Sequence, residues 1–166
     1  ENKLEIDTID NEGRTALHLA AMVGNIGFLR HLSLYGAKSI VDHEGRTALH
    51  LAAQNQNMRV ADFNEILEFL TTAKVKVDDQ DNEDYTALHL AAKAGNIEYV
   101  KALVEKGAKV NAVTKKNRTV FDVLEMESTD ETKEEYDYRR IGEYLIGQGA
   151  KTNRPGGPSR FYSNLL

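Results

Sequence analysis

A short string that keeps returning limits what this chain can fold into. Gly13-Arg14-Thr15-Ala16-Leu17-His18-Leu19-Ala20-Ala21 comes back as Gly45-Arg46-Thr47-Ala48-Leu49-His50-Leu51-Ala52-Ala53. It comes back again as Tyr85-Thr86-Ala87-Leu88-His89-Leu90-Ala91-Ala92, and in faded form as Arg118-Thr119-Val120-Phe121-Asp122-Val123-Leu124. The threonines Thr15, Thr47, Thr86 and Thr119 stand 32, 39 and 33 residues apart. A second string, Gly36-Ala37-Lys38, recurs as Gly107-Ala108-Lys109 and Gly149-Ala150-Lys151. Self-similarity at this period marks a repeat architecture: one unit cannot bury its own apolar face, so neighbours must cover it.

Each unit reads as a pair of helices. Thr15 precedes an apolar run and can accept a backbone N–H as a helix cap. Leu17, Ala20 and Ala21 then share one helical face, and the small alanines let a neighbouring helix approach closely. Gly24-Asn25 breaks this helix, and Asn25 suits the cap of a second, whose apolar face is Ile26, Leu29 and Leu32. Gly36 ends it, because glycine enters the left-handed cap at little cost. Asp42-x-x-Gly45 reads as a tight turn.

A period near 33 with Thr-x-Leu-His-x-Ala-Ala and a later Gly-Ala resembles the ankyrin-repeat family. The resemblance covers about residues 4–153. Alanine or valine stands where the family has proline after the threonine, which removes some preorganisation at the first helical position. The resemblance implies an all-α solenoid of stacked helix-turn-helix units with hairpin-like loops. It also implies a module that binds another protein, with no catalysis. Its expected parts are a partial repeat at 1–9, repeats at about 10–41, 42–80, 81–113 and 114–153, and a tail at 154–166. Leu4 to Asp10 aligns with Lys109 to Thr114 and so reads as the end of an earlier repeat. The tail carries Phe161, Tyr162, Leu165 and Leu166 after Pro155-Gly156-Gly157-Pro158, and either caps the last helix pair, dangles, or begins a further region.

Two units depart from the pattern. The second has about six extra residues, in Gln54 to Asn64, which predict a longer inter-helix loop with Asp62 and Glu65 as a capping box for the helix after it. Lys74 occupies its expected glycine position. The fourth has about nine extra residues in an acidic stretch between Glu125 and Tyr138, with Thr132 and Glu135 spaced as another capping box. Tyr138, Ile141 and Leu145 then form an apolar stripe. A solvated loop or a partner-facing, phosphorylatable segment both fit the acidic residues.

The remaining chemistry is sparse. His18, His50 and His89 recur in register; in the family this histidine bonds to the threonine and to backbone, and no other histidine or cysteine lies at zinc-finger spacing. No phosphate loop, nucleophile elbow or calcium loop is present. The reading is no catalytic residue, no metal and no cofactor. The chain has no cysteine, hence no disulfide, and an intracellular setting in cytoplasm or nucleus is expected. A net charge of −5 without a basic stripe argues against direct nucleic-acid binding. No apolar run reaches the length of a membrane span. A monomer is expected.

Family resemblance places the partner against the hairpin tips and the exposed side of each first helix. By register this gives Asn11, Glu12, Arg14 and Met22, with Val23; His43, Glu44, Arg46 and Gln54, with Asn55; Asn82, Glu83, Tyr85 and Lys93, with Ala94; and Lys115 and Arg118, with Lys116 and Met126. One column reads Arg14, Arg46, Tyr85, Arg118, residue types enriched in binding hot spots. A partner with an acidic surface is expected from it, and pairing with Glu12, Glu44 and Glu83 inside the chain is the rival. The spacing of Leu103, Ala108 and Asn111 resembles that of substrates of an asparaginyl hydroxylase of ankyrin repeats, which would make Asn111 the acceptor. The setting is expected to be signalling or transcriptional regulation, similar to Notch-type receptor tails or inhibitors of transcription factors. The alternative is a targeting module of a larger enzyme or of an intracellular bacterial effector.

Overall fold

Thr15, Thr47 and Thr86 each take an extended conformation directly before a helix. In a computed structural model, which describes residues 5–127 and 133–157 (without the side chains of 126, 127 and 133–136), eight helices follow. They are α1 (Ala16–Val23), α2 (Ile26–Leu34), α3 (Ala48–Ala53), α4 (Val60–Thr72), α5 (Ala87–Lys93), α6 (Ile97–Glu105), α7 (Val120–Glu127) and α8 (Lys133–Gly147). Odd helices pack on odd and even on even, giving two layers: α1, α3, α5 and α7 inside, α2, α4, α6 and α8 outside. This is the all-α repeat solenoid that the resemblance implies.

Small side chains make the inner layer close. Ala20, Ala21, Ala52, Ala53, Ala91 and Ala92 are all fully buried between successive helices. The outer layer is wedged by large residues. Phe63 of α4 and Tyr99 of α6 stack with ring centroids 3.8 Å apart, and both are completely buried. As the apolar spacing predicts, Leu29 and Leu32 lie in the core and Ile26 is half-buried. Asn25 caps α2 by accepting from the Phe28 N–H, and Asn96 does the same for Tyr99 on α6.

A shared imidazole ties each unit to the next. The Thr15 N–H donates to His18 Nδ1 at 3.1 Å, so Nδ1 carries no proton and Nε2 does. Nε2 then donates to the Arg46 carbonyl of the following unit at 3.1 Å. His50 repeats the arrangement with Thr47 and the Tyr85 carbonyl. His89 bonds to Thr86, but its buried Nε2 has no hydrogen-bond partner. Arg118 and Ala112 backbone lie on that side without closing a bond. In the fourth unit Asp122 takes the position. It accepts from the Thr119 N–H at 2.9 Å and, on its far side, from Thr152 Oγ1 and the Asn153 N–H. The buried carboxylate of Glu125 pairs with Arg154 at 2.8 Å. Residues 151–154 therefore occupy the place of the next hairpin.

The first end of the stack is less covered. Leu19 is 36% exposed and Phe28 48%, whereas their register equivalents Leu51, Leu90 and Tyr99 are 4%, 6% and 0% exposed. Residues 5–9 supply part of the missing neighbour: Asp7 accepts from the Lys38 N–H as Asp78 does from Lys109.

The second unit is built differently from its expected form. The helix begins at Val60 after Arg59, so the Asp62–Glu65 capping box is not formed. Asp62 sits in the first turn and pairs with Arg59, and Glu65 pairs with Arg30. The extra residues lengthen α4 to 13 residues, against 9 in α6, as well as the loop before it. Packing decides this: the loop carbonyl of Met58 accepts from the Tyr99 hydroxyl at 2.6 Å, which fixes the chain ahead of Phe63. Thr132 of the second proposed capping box lies outside the described residues, as do Leu4 and the tail residues Phe161, Tyr162, Leu165 and Leu166. Ile141 and Leu145 are fully buried and Tyr138 half-buried, as the stripe requires.

Lys74 has φ 69°, the left-handed cap filled by Gly36 and Gly107 in neighbouring units. An L-residue there is strained by about 1–2 kcal/mol, less the extra freedom glycine gives the unfolded chain. Lys74→Gly is therefore expected to stabilise the protein by about 0.5–1 kcal/mol in urea titration, and a destabilised variant would contradict the assignment. Acid should act in the other direction. Burial holds His18 and His50 below 6.5 and drives His89 down to about 4. Folding keeps these rings neutral, so their contribution is complete above pH 6.5 and is lost as pH falls towards 4. The urea midpoint should drop across that window, with a shallower drop in His89→Gln; a flat profile in the unmodified protein would refute it.

Candidate protein-binding face

Every hairpin turns on one side chain. The Asp10 carboxylate accepts from the N–H groups of Glu12 and Arg14, both at 2.9 Å. Asp42 serves Glu44 and Arg46, and Asp81 serves Glu83 and Tyr85, in the same way. The turn then passes through a left-handed residue: Gly13, Gly45, Asp84 or Asn117. Glycine is demanded at position 13 twice over, because a Cβ there would also lie 2.5 Å from the His43 ring and 2.8 Å from its backbone nitrogen.

That close approach is how the tips join. The His43 N–H donates to the Glu12 carbonyl, Asn82 N–H to Glu44, and Lys115 N–H to Glu83, at 3.0, 2.8 and 3.1 Å. The Asn82 side chain adds a bond to the His43 carbonyl. Backbone thus fixes the tips in a row. Asn11, Glu12, His43, Glu44, Asn82, Glu83 and Lys115 are all exposed along it. Gln54 and Lys93 are exposed, and Met22 half-buried, at the ends of the inner helices beside them.

The arginine column has a role the sequence reading did not give it. Arg14 Nε donates to Asp10 at 2.9 Å and its other nitrogens reach Asp10 and Glu12. Arg46 holds Asp42 at 2.8 Å and Glu44 at 2.9 Å. Both guanidiniums are mostly covered, and the Asp42 side chain is wholly buried. The rival arrangement, pairing within the chain, is thus present for these two, and arginine closes the turn there. The Arg14 N–H, and then its guanidinium, lower the Asp10 carboxyl to about 2. Tyr85 instead lays its ring edge-on to His89. In the fourth hairpin the Arg118 N–H donates to the Thr114 hydroxyl at 3.4 Å, and Thr114 offers the guanidinium no carboxylate.

The insertions clasp helix ends near this face. Asn55 donates to the Met22 carbonyl, Gln56 to Ala94, and the Tyr138 hydroxyl to Lys93. Gln56, Gly95, Asn96, Asp137 and Tyr138 line a shallow groove of about 420 Å³. Asn111 spends its amide at both ends, on the Gly149 carbonyl and the Lys151 N–H. The Met126 side chain is outside the described residues.

One row escaped the sequence reading. Ile9, Val41 and Val113 directly precede the turn residue of their hairpins and are 51%, 54% and 38% exposed; Gln80 holds that position in the third. Recurrence of β-branched residues one place before Asp10, Asp42 and Thr114 was the available sign.

A family model described as ankyrin repeats, three copies long, matches residues 2–63 and 57–124. No curated protein matches the chain. No described helix is long and apolar enough to cross a membrane.

The clamp predicts unequal effects along the column. Arg46→Ala strips a buried carboxylate of its partner and should cost about 2 kcal/mol. Arg118→Ala removes no pair and should stay within about 0.5 kcal/mol. Equal losses in thermal or urea unfolding would show that the clamp does not matter.

Proposed function

Because the chain belongs to the ankyrin-repeat family, whose members are protein–protein interaction modules, typically without catalysis, we propose that it holds a partner protein along its hairpin tips and the ends of its inner helices. The observation that carries this is the row of backbone hydrogen bonds from His43 to Glu12, Asn82 to Glu44 and Lys115 to Glu83. Those bonds order the tips before any partner arrives, so association does not have to immobilise them. The side chains that project from the row are polar or charged, and several are spare once the turns are closed. The exposed Ile9, Val41 and Val113 add apolar contact area beside them. A regulatory complex, of the kind that Notch-type receptor tails or inhibitors of transcription factors form, is the setting proposed for it, with a targeting module of a larger enzyme or a bacterial effector as the alternative.

A photo-crosslinking residue placed singly at His43 or Gln54 should capture a partner protein in cell extract. The same residue at Lys101 or Glu105, on the outer helix α6, should not. Equal capture from α6, or capture from α6 alone, would overturn this face as the docking surface.

A further inference from the structure

Hairpins one and two neutralise their own turn carboxylates: Arg14 closes on Asp10 and Arg46 on Asp42. Hairpins three and four have each lost one half of that clamp. Tyr85 replaces the arginine in the third, leaving Asp81, Glu83 and Asp84 in no ion pair. Thr114 replaces the aspartate in the fourth, leaving Lys115, Lys116 and Arg118 in none. Three negative and three positive charges therefore stand on adjacent hairpins, which the Lys115–Glu83 backbone bond holds side by side.

We propose that these two hairpins form a docking site for a dipolar peptide segment of the partner protein, with acidic residues over the fourth hairpin and basic residues over the third. The proposal deepens the protein-binding reading above and rests on it. Charge complementarity identifies the occupant. Adjacent stacked elements lie roughly 10 Å apart, and an extended peptide advances about 3.3 Å per residue, so the two charge centres of the peptide must be about three residues apart. Val113, 38% exposed on the segment entering the fourth hairpin, gives the peptide an apolar foothold. A nucleic acid fits poorly, because a polyanion lying across the fourth hairpin runs onto the third hairpin and then onto Glu44 and Glu12. Mutual attraction of the two blocks helps the stacking step, but among the described residues no nitrogen–oxygen contact of ion-pair length joins them; Asp81 is engaged by the N–H groups of its own turn, and the exposed Glu83, Lys115 and Lys116 are the charges most open to a ligand.

The test uses the full chain at low ionic strength, with a fluorescent Glu-Glu-Glu-Lys-Lys-Lys hexapeptide as probe. Alternating Glu-Lys of the same composition, hexaglutamate and a single-stranded oligonucleotide serve as comparisons. The block peptide should bind at least five-fold more tightly than the alternating one and shift amide resonances of 81–85 and 114–118. Binding should fall at least ten-fold in Lys115→Glu/Lys116→Glu, a variant at two exposed positions that circular dichroism should show folded. Equal binding of the alternating peptide, tighter binding of hexaglutamate or the oligonucleotide, or shifts centred on 10–14 and 42–46 would overturn the proposal. If the peptide preference fails while His43 and Gln54 still crosslink a partner, this inference falls and the protein-binding reading stands.

Discussion

The first two stacking steps of this solenoid depend on a neutral imidazole that faces two units at once. His18 and His50 accept from the threonine that starts their own helix and donate to the carbonyl that precedes the next threonine. The carbonyl receiving His18 belongs to Arg46, whose side chain closes the Asp42 turn. Helix start, hairpin turn and stacking register therefore share atoms. A helix of six or seven residues such as α3 or α5 would not persist alone in water. Held at its first turn and covered on both sides by buried alanines, it becomes a rigid part of the core.

The same economy explains which surface is free to vary. Each unit assigns the threonine, the imidazole and the turn carboxylate to cohesion, and returns the tip residues to solvent. Where a cohesive residue has changed, the change appears in pairs. Asp122 accepts from the Thr119 N–H as His18 accepts from Thr15, but it reverses the bond to the following segment, where Thr152 and Asn153 donate in place of an accepting carbonyl. Asp84 and Asn117 take left-handed positions that glycine fills in the first two hairpins. Asparagine and aspartate tolerate that conformation better than other residues with a Cβ.

Much of this was legible in the sequence because it is local. The cap at Asn25, the apolar faces of α1 and α2, and the end of a helix at Gly36 all follow from neighbours in the chain, whereas the Thr15 hydroxyl meets the His18 ring at 3.0 Å in place of the expected backbone N–H. The errors came where distant contacts outweigh local preference. Asp62 and Glu65 have capping-box spacing, but Tyr99, 37 places beyond Asp62, fixes the Met58 carbonyl and Phe63, and the helix starts earlier. The arginine column was visible as a pattern, yet its meaning depended on Asp10 and Asp42 folding back four residues to meet it. The exposed row at Ile9, Val41 and Val113 was hidden for a different reason: β-branched residues beside a turn read as strand or core until their exposure is known.

The two ends of the stack are not equivalent. Behind α7, residues 151–154 satisfy Asp122, and Arg154 meets Glu125. On the other side, Leu19 and Phe28 are partly exposed where interior units bury the same positions. In a linear array whose stability is summed from neighbour contacts, the cost of opening a unit scales with the contacts it gives up. The fourth unit gives up its packing on α5 and α6 together with the bonds that residues 152–154 make to Asp122 and Glu125. Residues 151–154 thus act as a latch on that unit: α7 cannot peel from the stack until Asp122 and Glu125 are both released.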